Sequence, residues 1–406
     1  MRYRLLILCD AFVPPMFGTR VRNLVQNLSI DRWDIHIACE QITESDYEIP
    51  NVTMHTFQYY PKKYGIKRII WYYMWVVDKL FQLKEKCFLH FLNTEFEKQS
   101  FDIVLASAYI FPIYSPRLFA KHKNIPLVMD IRDVFEQWGN TNYMQHSNTL
   151  FTDVYRKIAN IFYNRITKER NLTLKAADAV TTISSWHKKH LSIFNANTHL
   201  IYNGYDNRLF IPIDKKSSQF TIAYTGRIYN TSLQNPILLF EALQQMPSQY
   251  EIYVDWYTDT TRKTYISDLA KHYRVEYRMR YHDYVLPNNV AELLHQSSII
   301  LVLSNKSSKH GPHGILTTKF FEALGVEKPV LCVRSDEECL AKVIKETNAG
   351  IAATSVEEVK AFIMEKYAEW QQNGFTHQKV NQTEKKKYSR QYQAKQFEQI
   401  FLSLIK

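Results

Sequence analysis

Cysteine is scarce in this sequence: five among 406 residues, at positions 9, 39, 87, 332 and 339, odd in number and scattered without paired spacing. That argues for reduced thiols, as in a cytoplasm, rather than a disulfide framework. Long apolar runs are missing as well. None approaches the ~20 residues needed to span a bilayer, and the apolar start at 5–9 is cut off by Asp10, too short for a signal-peptide core. Internal repeats and low-complexity tracts are absent, so repeat arrays are excluded too.

What is present is the composition of a globular protein, 46% hydrophobic and 22% charged, at a length that suits two domains with ample cores. The net charge of +11 implies anionic partners: phosphates, acidic lipid or nucleic acid. Aromatic residues reach 14%, with 27 tyrosines interleaved among the basic residues, which fits a membrane interface as readily as RNA.

Residues 304–333 organise the chain. A short β-branched apolar run at 298–304 reads as a buried strand, and a loop with glycines and histidines follows it. Thr317 or Thr318 then supplies a helix cap, Gly325 a left-handed residue to end the helix, and 330–333 a second buried strand. Such a β-loop-helix-β unit belongs to a parallel sheet. Lys319 and Glu322 are three apart and share one helix face, at the end where free amides and the helix dipole attract phosphate. A carboxylate for ribose hydroxyls, a cation and phosphate-seeking amides together suit a nucleotide diphosphate. An ordinary surface Lys–Glu pair is the competing reading.

The run from Lys319 to Leu331 resembles the donor-site signature of GT-B glycosyltransferases, particularly family 4, with its "K-x-x-E-x-x-x-x-G-x-P-V" helix. The resemblance implies two facing Rossmann-like α/β domains, doubly wound, with a cleft between them. The family's two glutamates lie eight apart; Gly314 stands at the first position here, so Glu322 alone is matched.

Other segments extend the likeness in the same order. A strand at 3–9, a glycine-containing loop and a helix at 21–28 open the chain. Gly18 matches the glycine that lets the backbone approach the sugar phosphate in such enzymes, and Arg20 and Arg22 are candidates for an acceptor's phosphates, or plain solvated arginines. A strand at 125–131 runs into Asp130, Arg132 and Asp133, where parallel sheets place their sites. Arg132 and Asp133 match an "R-D-L-W-P" run of some bacterial surface-polysaccharide glycosyltransferases. These three residues are candidates to orient the acceptor hydroxyl, against a buried Asp–Arg pair that braces the loop. His187 and His190 lack a third ligand at suitable spacing and read as solvated surface. Segments at 176–185 and 200–206 resemble further family runs. Gly226 and Arg227 resemble the "Y-x-G-R" start of the donor domain, whose arginine binds the diphosphate; no lysine follows closely, so Arg227 and Lys319 share that charge. His313 and Gly314 complete the expected donor site.

The expected division is an acceptor-side domain over 1–210, with a C-terminal helix at 388–406 packing back on it, and a donor domain over 219–385. Residues 59–78 stand apart. Lys62, Lys63, Lys67 and Arg68 precede an aromatic run, and Trp71, Tyr72, Tyr73 and Trp75 suggest an aromatic belt on an anionic inner-membrane surface; the competing reading is a helix packed in the core.

The expected activity is therefore transfer of a sugar from a UDP- or GDP-linked donor to an acceptor hydroxyl. By resemblance it retains anomeric configuration and uses a lipid-linked saccharide in capsule or surface-polysaccharide assembly, peripheral on the cytoplasmic face of the membrane. The sequence has no D-x-D pair to hold a metal on the diphosphate, so no metal or cofactor is expected. Arg227, Lys319 and loop amides stabilise the leaving phosphate instead. Nucleic acid is not an expected partner. A nucleotide-sugar epimerase of the same fold and a non-catalytic membrane or nucleotide-binding protein are the alternatives.

Overall fold

In the computed structural model the described residues are 2–10, 19–40, 51–61, 65, 67–138, 150–228, 234–286, 289–304, 312–334 and 338–405, with only the backbone described at 19, at 150–159 and at 261. The chain divides into two compact units, Met1–Tyr202 with Gln393–Lys406, and Asn203–Tyr392. Each is built on its own parallel sheet.

Among the described residues the first sheet has seven strands: β1 (Tyr3–Cys9), β2 (Trp33–Glu40), β3 (Val52–Phe57), β4 (Ile103–Ala108), β5 (Leu127–Ile131), β6 (Ala179–Thr182) and β7 (Thr198–Leu200). Their order is β3-β2-β1-β4-β5-β6-β7. The second has six: β8 (Phe220–Thr225), β9 (Ile252–Tyr257), β10 (Met279–His282), β11 (Ile299–Leu303), β12 (Val330–Val333) and β13 (Gly350–Ala353), in the order β10-β9-β8-β11-β12-β13. In both, the order reverses beside the first strand, the point where such sheets bind ligands at their carboxyl ends.

The short apolar runs become strands because they are covered on both faces, as parallel strands must be. In β1, Leu5 and Ile7 enter one core with Val21, Trp33 and Phe401, while Leu6 and Leu8 enter the other with Phe88, Phe119 and Met129. The last helix, Arg390–Leu404, contributes Ala394, Phe397, Ile400 and Phe401 to the first unit's core, and Glu398 accepts from Trp33 Nε1 at 2.9 Å.

The passage between units lies earlier than the linker expected at 207–218. Tyr205 exchanges backbone hydrogen bonds with Tyr388 and Arg390, and Tyr205 and Phe210 pack inside the second unit. They do so through Gly325. A Cβ there would lie 2.7 Å from Phe210 and 2.9 Å from Tyr205, so glycine permits close approach inside the Thr318–Val326 helix and does not end it. The left-handed cap is Glu327, at φ 58°. Its carboxylate is held by Lys385 at 2.6 Å and Gln382 at 2.8 Å, which secures a backbone conformation that only glycine adopts freely.

Candidate functional site

The second unit brings together residues almost a hundred positions apart. β8 ends at Thr225, and Gly226 turns the chain with φ 109°, its N–H donating to the Tyr257 carbonyl at 2.8 Å. A Cβ on Gly226 would lie 2.7 Å from Lys319 Cε and 3.0 Å from Lys319 Nζ. Glycine is thus required twice: for its φ, and to let the lysine cross the end of the strand. Lys319 Nζ also sits 5.1 Å over the Tyr224 ring. Burial holds its pKa below the ordinary lysine value, partly opposed by Glu322.

Glu322 lies one turn along the same helix. Burial pushes its carboxyl up to about 7, against the pull of Lys319 and Arg390. No described residue hydrogen-bonds to it. Phe320, Phe321 and Leu324 face the sheet and are fully buried, so helical spacing separates packing from chemistry. Thr317 occupies the cap position but its side chain makes no capping hydrogen bond, which leaves first-turn amides to another acceptor. Arg227 is exposed just beyond Gly226. His313 is within 3.4 Å of Glu338, and Gly314 has φ 69°, a conformation in which a glutamate would be strained. Lys319, Glu322 and Gly226 are therefore adjacent, with Arg227 next in the chain. The loop residues 305–311 lie outside the described residues.

The first unit gives a different outcome. Asp130, 1% exposed at the end of β5, accepts from Arg20 Nε and Nη2 at 3.0 Å each, from Thr181 Oγ1 at 2.8 Å and from Ser107 Oγ at 3.2 Å. Burial alone would raise its pKa, but the Arg20 guanidinium more than offsets this and holds the carboxyl below the usual aspartate range. Arg20 also donates to the carbonyls of Ile201 and Tyr202, both at 2.9 Å, and is itself buried. Both residues are occupied as a brace across β4, β5, β6 and the end of the unit. The partner of Asp130 is thus Arg20, where the sequence suggests an acceptor for each. Arg22 is half-buried on the Thr19–Asn27 helix, and Gly18 lies outside the described residues.

Arg132 and Asp133 follow β5 and are partly exposed; the Arg132 Nε is buried, with no hydrogen-bond partner among the described residues. Asp133 Oδ1 accepts from Gln137 Nε2 at 2.9 Å. Gln137 Oε1 accepts from the Val134 N–H and from His187 Nε2 at 2.7 Å, so His187 Nδ1 accepts from the Ser184 hydroxyl at 2.7 Å. His187 is buried, not solvated surface as its sequence suggests, and burial pushes its imidazole down to about 4, which keeps it neutral. This chain of hydrogen bonds fixes the loop that carries Arg132 and Asp133. The signal missed was Gln137, fifty residues away.

The stretch at 59–78 divides by helical spacing. In the Lys67–Phe81 helix, Asp78 is buried and Trp71 and Trp75 turn inward, while Ile69, Ile70, Tyr72, Tyr73 and Val76 are exposed, Ile69 by 72% and Tyr73 by 70%. Lys67 and Arg68 are exposed at its start; Lys62 and Lys63 lie outside the described residues. The aromatic belt is thus only half outward. No described helix is long and apolar enough to cross a membrane.

Comparison with known proteins agrees with this geometry. Residues 17–209 match the model of the family described as Glycosyltransferase Family 4. No protein with a curated description matches the chain. Among solved structures, sucrose-phosphate synthase (tll1590) from Thermosynechococcus elongatus is similar, with TM-score 0.65, 13% identity and 99% of both chains covered. Anabaena Alr3699/HepE in complex with UDP-glucose gives 0.61 at 14% identity, covering 98% of this chain and 99% of that one. A putative UDP-N-acetylglucosamine 2-epimerase from Listeria monocytogenes gives 0.56 at 13%, covering 99% and 96%. The fold alone is shared by synthases, transferases and an epimerase, so it does not by itself assign an activity. The chain thus has the GT-B fold, two parallel-sheet Rossmann-like domains, and its residues 17–209 are similar to Glycosyltransferase Family 4.

Proposed function

We propose that this protein transfers a glycosyl group from a UDP- or GDP-linked sugar to an acceptor hydroxyl. The observation that carries the reading is the convergence of Lys319 on the Gly226 turn, with Glu322 one turn along and no described residue hydrogen-bonded to its carboxylate. Glu322, ionised, accepts two ribose hydroxyls. Lys319, Arg227 and the open amides at the start of the Thr318–Val326 helix take the diphosphate. Charge grows on the leaving phosphate as the glycosidic bond breaks, so these cations stabilise the transition state more than the bound donor. No metal enters this scheme, and activity in chelator tests that part of it. The likeness to family 4 supports retention of configuration, with the leaving phosphate helping to deprotonate the acceptor.

Asp130 and Arg20 serve as the brace in this reading, and Arg132 and Asp133 remain to orient the acceptor. A lipid-linked saccharide of a surface polysaccharide, met at the inner face of the cell membrane, is supported by the exposed apolar face at Ile69, Tyr72, Tyr73 and Val76 beside Lys67 and Arg68. Calorimetric titration with UDP and GDP tests the donor site. One of them binds the wild type, and Glu322→Ala weakens it by about 1–3 kcal/mol. Unchanged affinity in the folded variant removes Glu322 from the site. Nucleotide release that needs no acceptor points to the epimerase alternative.

A further inference from the structure

The first unit holds a cavity of about 470 Å³, within the range of small-molecule sites. It opens at the carboxyl edge of the sheet: Asp10 follows β1, Glu40 ends β2, and Ile110 and Phe111 follow β4. Tyr60, Trp71, Trp75 and Phe162 supply aromatic wall.

Its carboxylates are already matched. Lys84 Nζ pairs with Asp10 at 2.9 Å and Glu40 at 2.6 Å, 3.9 Å from the centre of the Phe111 ring. Asp78 accepts from the Tyr60 hydroxyl at 2.9 Å and from the Lys84 N–H at 2.8 Å. Glu85 is buried and accepts from the Ile113 and Ser115 amides. Lys79 is different. Its ammonium lies 4.1 Å over the Phe162 ring and 5.7 Å from that of Trp75, and among the described residues it has neither an ion pair nor a hydrogen bond. Desolvation holds its pKa below the lysine norm.

We propose that this cavity binds a saccharide carrying an anionic group, a carboxylate or a phosphate, with the sugar ring against Trp71 and Trp75 and the anionic group on Lys79. The proposal rests on the glycosyl-transfer reading and makes this saccharide the acceptor. An alkyl chain is disfavoured here, because it would desolvate Asp10, Glu40 and Lys84 without replacing their water. A neutral sugar meets the rings and the carboxylates but leaves the half-buried Lys79, which feels Asp78 only at a distance, without an ion pair. An anionic substituent supplies it.

The test uses the intact protein and three probes, glucose, glucuronate and glucose 1-phosphate, titrated by calorimetry into wild type, Lys79→Met, Lys79→Arg and Trp75→Ala. At least one anionic probe binds wild type about ten-fold or more tightly than glucose, as a desolvated charge pair requires. Lys79→Met removes that margin and leaves glucose unchanged, Lys79→Arg keeps it, and Trp75→Ala weakens all three. Which anion wins distinguishes a uronic acid from a sugar phosphate. Equal binding of glucose and both anions by wild type, no binding of any probe, or an unchanged margin in Lys79→Met overturns the proposal. UDP titrated into the same samples reports on fold and on the parent reading. UDP binding without sugar discrimination defeats the cavity proposal alone, whereas wild type that binds no nucleotide defeats the transfer reading itself.

Discussion

Glu322 lets the donor site be tested without any substrate. In the folded protein its carboxyl ionises at about 7 rather than the ordinary 4.5. Between those values the unfolded chain has released a proton that the folded chain still holds, so stability falls as pH rises from 4.5 to 7. A difference of about 2.5 pH units, at 1.36 kcal/mol each, comes to about 3 kcal/mol; water at the open side of the carboxylate reduces it, and about 2–3 kcal/mol is expected. Glutamine has the same shape and never ionises. Glu322→Gln should therefore match wild type below pH 4.5 and exceed it by about 2–3 kcal/mol above pH 7.5. Urea unfolding of both proteins at pH 4.5, 6 and 8 measures this, with the second unit reporting through Trp256 and Trp370. The same variant should bind UDP more weakly at pH 8, because glutamine offers one neutral acceptor where the ribose meets a carboxylate. Wild-type affinity for UDP should also fall below pH 7, while that of the variant stays flat. A stability difference that is the same at all three pH values, or a variant that binds UDP as wild type does, refutes the reasoning.

Lys319→Met and Arg227→Ala should each lower kcat more than they raise KM, since both cations act on charge that develops at the leaving phosphate; steady-state kinetics with a nucleotide-release assay decides this, and a pure KM effect would contradict it. Asp130→Asn leaves the Arg20 guanidinium buried without its counter-charge and should cost about 3–5 kcal/mol, read as a large drop in thermal midpoint. A variant with wild-type stability and no activity would return Asp130 to the chemistry. Replacing Ile69 and Tyr73 by serine should release the protein from anionic vesicles in flotation assays with its UDP affinity intact, and retained vesicle binding would remove the outward face of the Lys67–Phe81 helix from any membrane role.

The strands, the Gly226 turn and the Thr318–Val326 helix were legible because their signals are local: a short β-branched run, a glycine, a helix whose apolar positions leave Lys319 and Glu322 on the other face. What was not legible depends on partners far along the chain. Arg20 looks like a free cation until Asp130, 110 residues on, is placed against it. His187 looks solvated until Gln137 is placed beside it. Gly325 is the same kind of case. A glycine near a helix end usually marks the cap, but here Tyr205 and Phe210 press on its Cα and Glu327 takes the left-handed position, held by Lys385.

In the Lys67–Phe81 helix two kinds of surface share one segment. Its aromatic residues read as a single belt in the sequence, yet the spacing of four between 71, 75 and 79 gives them a shared face. Trp71, Trp75 and Lys79 line the cavity, and Ile69, Tyr72, Tyr73 and Val76 look outward. The two faces ask for different chemistry. Rings beside a desolvated ammonium suit a sugar bearing an anion; apolar side chains behind Lys67 and Arg68 suit a leaflet. A lipid-linked acidic saccharide meets both demands at once, since its headgroup and its anchor are joined as these two faces are. The faces are therefore separable by mutation: Lys79→Met should abolish preference for the anionic sugar without altering vesicle binding, and the Ile69 and Tyr73 substitutions should do the reverse. If either change moved both readouts together, the helix would be acting through fold stability, and neither face could be assigned a ligand of its own.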